Sequence, residues 1–324
     1  MKKPGRFLSL SAAFAFSILN VQPSLAQSFP SQFINLVITL TPGDTGDLSG
    51  RAIGTELGKL IKGTVIPINR SGGAGSVGVD SVAKAKKDGY TILYVNSNII
   101  YAFAANPEET PYNPFQDLEP VCLASSIPLT IAVQSESAWK TMQELVAYGK
   151  QNPGKLRGSS TGVGSVGHFG YEIIRAETGA GIEMIPFKGA APGMTALLGG
   201  HVEVAIPSAT LASTNLKSGK IRLLLISKKT QEFPGVPTLT ELGYKRDIAS
   251  VWFGFYLPVG VPDSVKRVLY PALERSIKSA EVGAVLASIG AVEDYKPSAE
   301  FRKMMSEEYA VVKNLNQGKG AAAR

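Results

Sequence analysis

Residues Phe33–Leu40 read FINLVITL, and Thr41–Asp47 read TPGDTGD. The first run is almost continuously apolar, the pattern of a strand covered on both faces. The second is a turn-rich loop. Leu48–Ile61 then sets Leu48, Ala52, Leu57, Leu60 and Ile61 on one helical stripe. Thr64–Ile68 reads as a second strand, Asn69–Gly75 as a glycine loop, Val77–Lys86 as a second helix and Tyr90–Val95 as a third strand. This β-α-β-α-β order predicts a parallel sheet with helices on both faces, an α/β fold.

The same grammar restarts downstream. Helices are predicted over Met142–Lys150, Val166–Glu177, Ala191–Leu198 and Leu211–Lys217. They alternate with strands Lys155–Ser159, Gly181–Phe187, Val202–Ile206 and Ile221–Ile226. A last block holds strand Val251–Leu257 and helices Asp263–Ser279 and Ser298–Leu315. Asp263, after Pro262, is the predicted cap of its helix, and Pro271 the predicted kink within it. A chain of 324 residues suggests two domains of about 150 residues each. The last block still needs a sheet to cover, so the first domain is expected to be discontinuous. The expected division is lobe one over 27–123 and 251–324, and lobe two over 124–250. Two crossovers make a hinge, and the cleft between lobes is a natural ligand site.

Residues 1–26 read as a secretory signal peptide: Lys2, Lys3 and Arg6, then an uncharged, mostly apolar run Phe7–Val21, then Ser24-Leu25-Ala26. The run is shorter than the roughly 20 residues of a spanning helix. Cleavage after Ala26 removes three bases and lowers the formal charge from +7 to +4, a balance without nucleic-acid meaning. The expected location is the periplasm. One cysteine, Cys122, excludes a disulfide framework and reads as a core residue. Two histidines, His168 and His201, with that cysteine make a zinc site unexpected. No metal and no cofactor is expected.

Three glycine loops stand where a strand hands over to a helix: 41–47, 71–76 and 159–165. Free amides and the positive end of a helix dipole favour an anion at such places. Two lures lie in the third loop. Gly162, Gly164 and Gly167 match G-x-G-x-x-G, but no acid stands at the far end of the next strand, as a dinucleotide fold needs. Gly164-Ser165-Val166-Gly167 resembles part of a hydrolase elbow, yet its first glycine falls at Val163. His168, three residues past Ser165, is placed as a capping, cleft-lining or locally packed side chain rather than a triad base. Asp47 reads as an acid at a helix start, whereas Asp44 puts negative charge beside an anion cradle.

Together these segments resemble the Bug family of periplasmic solute-binding proteins, the receptors of tripartite tricarboxylate transporters. The resemblance rests on Thr41–Asp47 with Arg51, Asn69–Gly78, Asp88–Thr91, Pro111–Asp117 and Asn152–Leu156. It continues through Gly164-Ser165 with His168, Pro186–Gly189, Leu197–Gly200 and Trp252–Gly254. It implies a two-lobed flytrap of the periplasmic-binding-protein type II class, a small organic acid as ligand, and a membrane permease as partner. It implies ligand residues Thr41, Pro42, Gly43, Asp44, Thr45, Asp47, Gly72, Gly73, Ser97 and Asn98 in lobe one. In lobe two it implies Thr161, Gly164, Ser165, His168, Lys188, Ala190, Pro207 and Ser208. Asp44 stands where the family carries glycine, and Pro207 where it often carries an acid, so an altered ligand preference is expected. The functions in view are a monomeric binding protein without catalysis that feeds a permease, and a sensor subunit docking a signalling receptor. An exported enzyme lacks an elbow, triad or metal set. A cytoplasmic regulator's effector domain is weakened by the signal segment and by the lack of a DNA-binding helical module.

Overall fold

Ile34, Leu36 and Ile38 of strand β1 (Ile34–Ile38) are fully buried, each worth about 2 kcal/mol relative to exposure. They belong to a computed structural model that describes residues 29–322 except Val163, without the side chains of Ala74 and 316–322. The predicted signal segment 1–26 lies outside the described residues. After β1 come α1 (Thr45–Ile61), β2 (Val65–Asn69), α2 (Ser76–Ala83), β3 (Thr91–Asn96), α3 (Asn98–Ala105) and β4 (Leu118–Ile127). A second sheet begins with β5 (Thr130–Gln134), α4 (Met142–Gln151), β6 (Arg157–Ser160), α5 (Val166–Thr178) and β7 (Glu183–Pro186). It is completed by α6 (Ala190–Leu198), β8 (Val204–Ala205), α7 (Ala209–Lys217) and β9 (Ile221–Ile226). The chain then forms β10 (Val251–Pro258), α8 (Asp263–Ile277), α9 (Ala280–Ser288), β11 (Val292–Pro297) and α10 (Ser298–Ala322).

The first sheet has strand order β11-β4-β10-β3-β1-β2 and the second β7-β6-β8-β5-β9. Both are mixed rather than purely parallel. Strands joined by a local helix crossover pair in parallel, β1 with β2 and β3, and β6 with β7 and β8. The antiparallel strands are those that lack such a crossover to their neighbours. β10 arrives from the other sheet and runs against β3 and β4, and β5 runs against β8 and β9. The sheets are joined at 128–129 and again through 227–250. These two passages are tied where Ser227 donates its amide to the Leu129 carbonyl (2.8 Å) and its hydroxyl accepts from the Leu129 amide (2.9 Å).

α1 differs from the predicted stripe. Its buried face carries Gly46, Gly50, Gly54, Ile53 and Leu57, while Leu48 is exposed. The glycines recur every fourth residue and let the helix backbone approach the sheet. A Cβ on Gly50 would stand 2.8 Å from the Tyr94 ring and 3.0 Å from Ile38. Lys62 ends the helix in the left-handed region at φ 51°. In α8 the cap position belongs to Pro262, whose side chain accepts no hydrogen bond. Asp263 is instead the first helical residue, an acid in the first turn. The helix runs on through Pro271.

Candidate functional site

The carboxyl ends of β3, β6 and β8 deliver their chains to α3, α5 and α7, and β7 delivers its chain to α6. The first residues of all four helices line one cavity of about 560 Å³: Asn98 of α3, Val166 and Gly167 of α5, Ala190 of α6, and the α7 cap Ser208. Asn96, Ser159, Ser160, Thr161, Gly164, Ser165 and Gly189 add polar or backbone surface. Tyr101, Ala102, Ala105, Leu129, Ala205, Ile206 and Val251 form an apolar wall. No Asp, Glu, Lys, Arg or His lines the cavity among the described residues. An anion there is met by helix N-termini, amides and hydroxyls rather than by a fixed cation.

Local hydrogen bonds set the rim. Ser165 caps α5: its hydroxyl accepts from the His168 amide (3.1 Å) and donates to the Gly162 carbonyl (2.7 Å). The Ser160 hydroxyl stands 2.9 Å from it, and with its proton committed to Gly162, Ser165 accepts from Ser160. His168 is buried, and its Nδ1 accepts from the Gly164 amide (3.1 Å), which fixes the ring proton on Nε2. Gly162 and Gly164 hold positive φ, 118° and 80°, which a side chain at either position would strain. Ser208 accepts from the Leu211 amide (3.3 Å), and Asn96 Oδ1 from the Asn98 amide (3.2 Å). Gly189 precedes α6 with no side chain to cap it.

Of the residues singled out from sequence, Asn98, Thr161, Gly164, Ser165, Ala190, Pro207 and Ser208 line this cavity. Thr41, Pro42, Gly43, Asp44, Thr45, Asp47, Gly72, Gly73, Ser97, His168 and Lys188 do not. Asp44 is exposed and caps α1, accepting from the Gly46 amide (3.1 Å). That explains an acid beside the loop without a ligand. Asp47 is buried and accepts from the Gly43 amide (2.9 Å), Arg51 Nε (2.8 Å) and Asn69 Nδ2 (2.8 Å). Arg51 in turn donates to Asn69 Oδ1 (2.7 Å), so the triangle ties the first glycine loop to the end of β2. Burial alone raises the Asp47 carboxyl, but the Gly43 amide, Asn69 and Arg51 outweigh it and hold it below the usual carboxylate range. Ser97 is fully buried, and Lys188 is exposed beside the lining residue Gly189. Sequence reading missed Tyr101 and the apolar wall. The signal for Tyr101 was its place three residues after Asn98, on a helix of only eight residues. No group of His, Cys, Asp and Glu able to hold a metal occurs among the described residues. No helix among them is long and apolar enough to cross a membrane.

Two α/β sheets joined by a double crossover, with helix N-termini converging on the cavity between them, define the two-lobed periplasmic-binding-protein type II fold. The model of the tripartite tricarboxylate transporter family receptor matches residues 50–320, and the chain belongs to that family. It is 29% identical over 306 residues to the protein BugT of Bordetella pertussis, covering 94% of each chain. The crystal structure of a TctC solute-binding protein from Polaromonas superposes with a TM-score of 0.81 at 27% identity, over 90% of this chain and 99% of that one. R. palustris Rpa4515 with adipate gives a TM-score of 0.70 at 26% identity, over 90% and 98%. Family and fold are those of solute-binding proteins.

Proposed function

We propose that the protein is an exported receptor that captures a small organic acid in the cavity between its lobes and delivers it to a tripartite tricarboxylate-type permease. The observation that carries this reading is the convergence of four helix N-termini on a cavity that, among the described residues, no charged side chain lines. A carboxylate can be desolvated there against dipoles and hydroxyls, while its hydrocarbon part meets the wall around Ala102, Ala105 and Val251. The adipate found in Rpa4515 is an acid of this kind. The ligand leaves the site unchanged, so this is capture without catalysis.

In this reading residues 1–26 are removed on export and the monomer works in the periplasm. Lobe one comprises 27–123 and 251–324, and lobe two 124–250. Loops 41–47 and 72–73 follow β1 and β2, at the same carboxyl edge of the sheet as Asn96. Closure of the lobes brings them over the ligand, a population shift driven by differential affinity. Native mass spectrometry of the protein purified from its host tests the reading. A retained organic acid, released on denaturation, supports it. Retention of a cationic or neutral metabolite instead contradicts it.

A further inference from the structure

Tyr101 lines the cavity, but its hydroxyl points to a partner outside it. It donates to Glu308 Oε1 at 2.5 Å, and the Trp252 indole Nε1 donates to Glu308 Oε2 at 2.7 Å. Glu308 lies on α10, Tyr101 on α3 and Trp252 on β10. Glu308 is half-buried, and among the described residues no cation pairs with it. Burial raises its proton affinity, and the hydrogen bonds from Tyr101 and Trp252 only partly offset this. The titratable groups around it are few. α3 presents Tyr101 itself, and burial pushes its hydroxyl well above neutral pH. β10 presents Tyr256, bonded to Met305 Sδ, with Arg302 of α10 acting on that tyrosine. α5 packs Phe169 on the Tyr101 ring at 5.0 Å, with His168 and Glu172 on the same turns.

The donor inventory allows two arrangements. With Glu308 ionised, both oxygens accept and the Tyr101 proton is committed away from the cavity. With Glu308 protonated, the indole, a donor only, still holds Oε2 as acceptor. The new proton then sits on Oε1 and donates to the Tyr101 oxygen, which frees the Tyr101 O–H to turn toward the cavity. We propose that Glu308 is a positioning residue for the ligand: an anion in the cavity draws one proton from solvent onto Glu308 and is met by the released Tyr101 hydroxyl. This rests on the cavity being the acid-binding site. An anion nearby also disfavours the Glu308 charge, so both effects favour proton uptake on binding. Where one proton is taken up, affinity falls by up to about tenfold per pH unit as pH rises.

Adipate is the probe, since its own carboxyls titrate near the usual ~4–5 and stay ionised between pH 6 and 8. Titration calorimetry in buffers of different ionisation heat counts the proton. Indole NMR reads the site directly, because the chain has two tryptophans and Trp139 serves as the internal control. The expected result is weaker adipate binding from pH 6 to 8, linked to proton uptake, with an upward shift of the Trp252 titration midpoint on binding. Glu308→Gln imitates the protonated acid, with its amide donating to Tyr101, and is expected to bind adipate with a flat pH profile. Tyr101→Phe keeps the Glu308–Trp252 contact and is expected to lose the extra affinity at pH 6. Adipate binding by wild type without proton uptake, or an unchanged pH profile in either variant, overturns the proposal alone. If neither adipate, succinate nor benzoate binds wild type, the acid-site reading fails and the proposal fails with it.

Discussion

Asp47 accepts hydrogen bonds from a loop amide, an arginine and an asparagine, and these three donors explain why an acid is buried next to an anion-seeking loop. Asp47→Asn is expected to cost about 2 kcal/mol at neutral pH, because Arg51 and Asn69 lose an ionised acceptor. The folded carboxyl is held below its unfolded value, so its contribution is present above that unfolded value, about 3.9, and is lost as pH falls through the lower folded one. Denaturant melts at pH 7 and pH 3 should therefore show a gap between wild type and variant that narrows in acid. A gap that widens contradicts the assignment. Asp44 separates two roles. Asp44→Ser keeps a side-chain cap on α1 and removes the charge, so the melting temperature should hardly move. If the loop closes over the ligand, the order of preference across an acid panel should change, whereas an unchanged order in thermal-shift measurements leaves Asp44 as a cap alone.

At the scale of elements, the strands and helices with strong periodicity were legible in the sequence. Strand Ile221–Ile226 falls where the apolar run places it, and α5 begins at Val166 as predicted. Five elements, α3, β4, β5, α9 and β11, were given no predicted range, and for three of them the physical reason is plain. α3 is eight residues with scarcely a polar face, α9 is a short alanine-rich helix of about two and a half turns, and β11 reads VEDYKP, an edge strand whose burial is only partial. Strand direction in β5 and β10 was not legible either, since long-range pairing decides it. The α1 stripe was read only in part: Leu57 is buried as expected, but Leu48 is exposed, and Gly46, Gly50 and Gly54 share the face toward the sheet. Gly50→Ala gains about 1 kcal/mol of helix propensity but drives a methyl into the Tyr94 ring. That ring is held by hydroxyl contacts to Ser49 (3.0 Å) and Ser125 (3.4 Å). Overpacking of a rigid core typically costs 1–3 kcal/mol, so a net loss of about 1 kcal/mol is expected in urea melts. A stabilised variant would mean that the helix does not lie against β1 and β3.

For the whole molecule, the site was partly legible. The lobe-two loops around Thr161–Ser165, Ala190 and Pro207–Ser208 converge on the cavity; the first was legible as a glycine-rich strand-to-helix handover, whereas Ala190, Pro207 and Ser208 were implied by the family resemblance. The lobe-one wall around Tyr101 emerges only once β3 is set between β1 and the returning β10. Contacts across the two sheets are present both away from the cavity and at its wall. Lys228, just after β9, meets Asp294 of β11 at 2.5 Å, and the Tyr101 ring rests on Phe169. Burial alone raises the Asp294 carboxyl, but Lys228 and Lys296 hold it below the usual range.

The cavity, which no charged side chain lines among the described residues, is expected to select a carboxylate through helix N-termini and hydroxyls. The direct measurement is calorimetric titration of the protein with adipate and, in parallel, with its uncharged diamide of the same shape. Saturable binding of the acid, with the diamide at least tenfold weaker, is the predicted result. Equal binding of the two, or binding of the diamide alone, contradicts it.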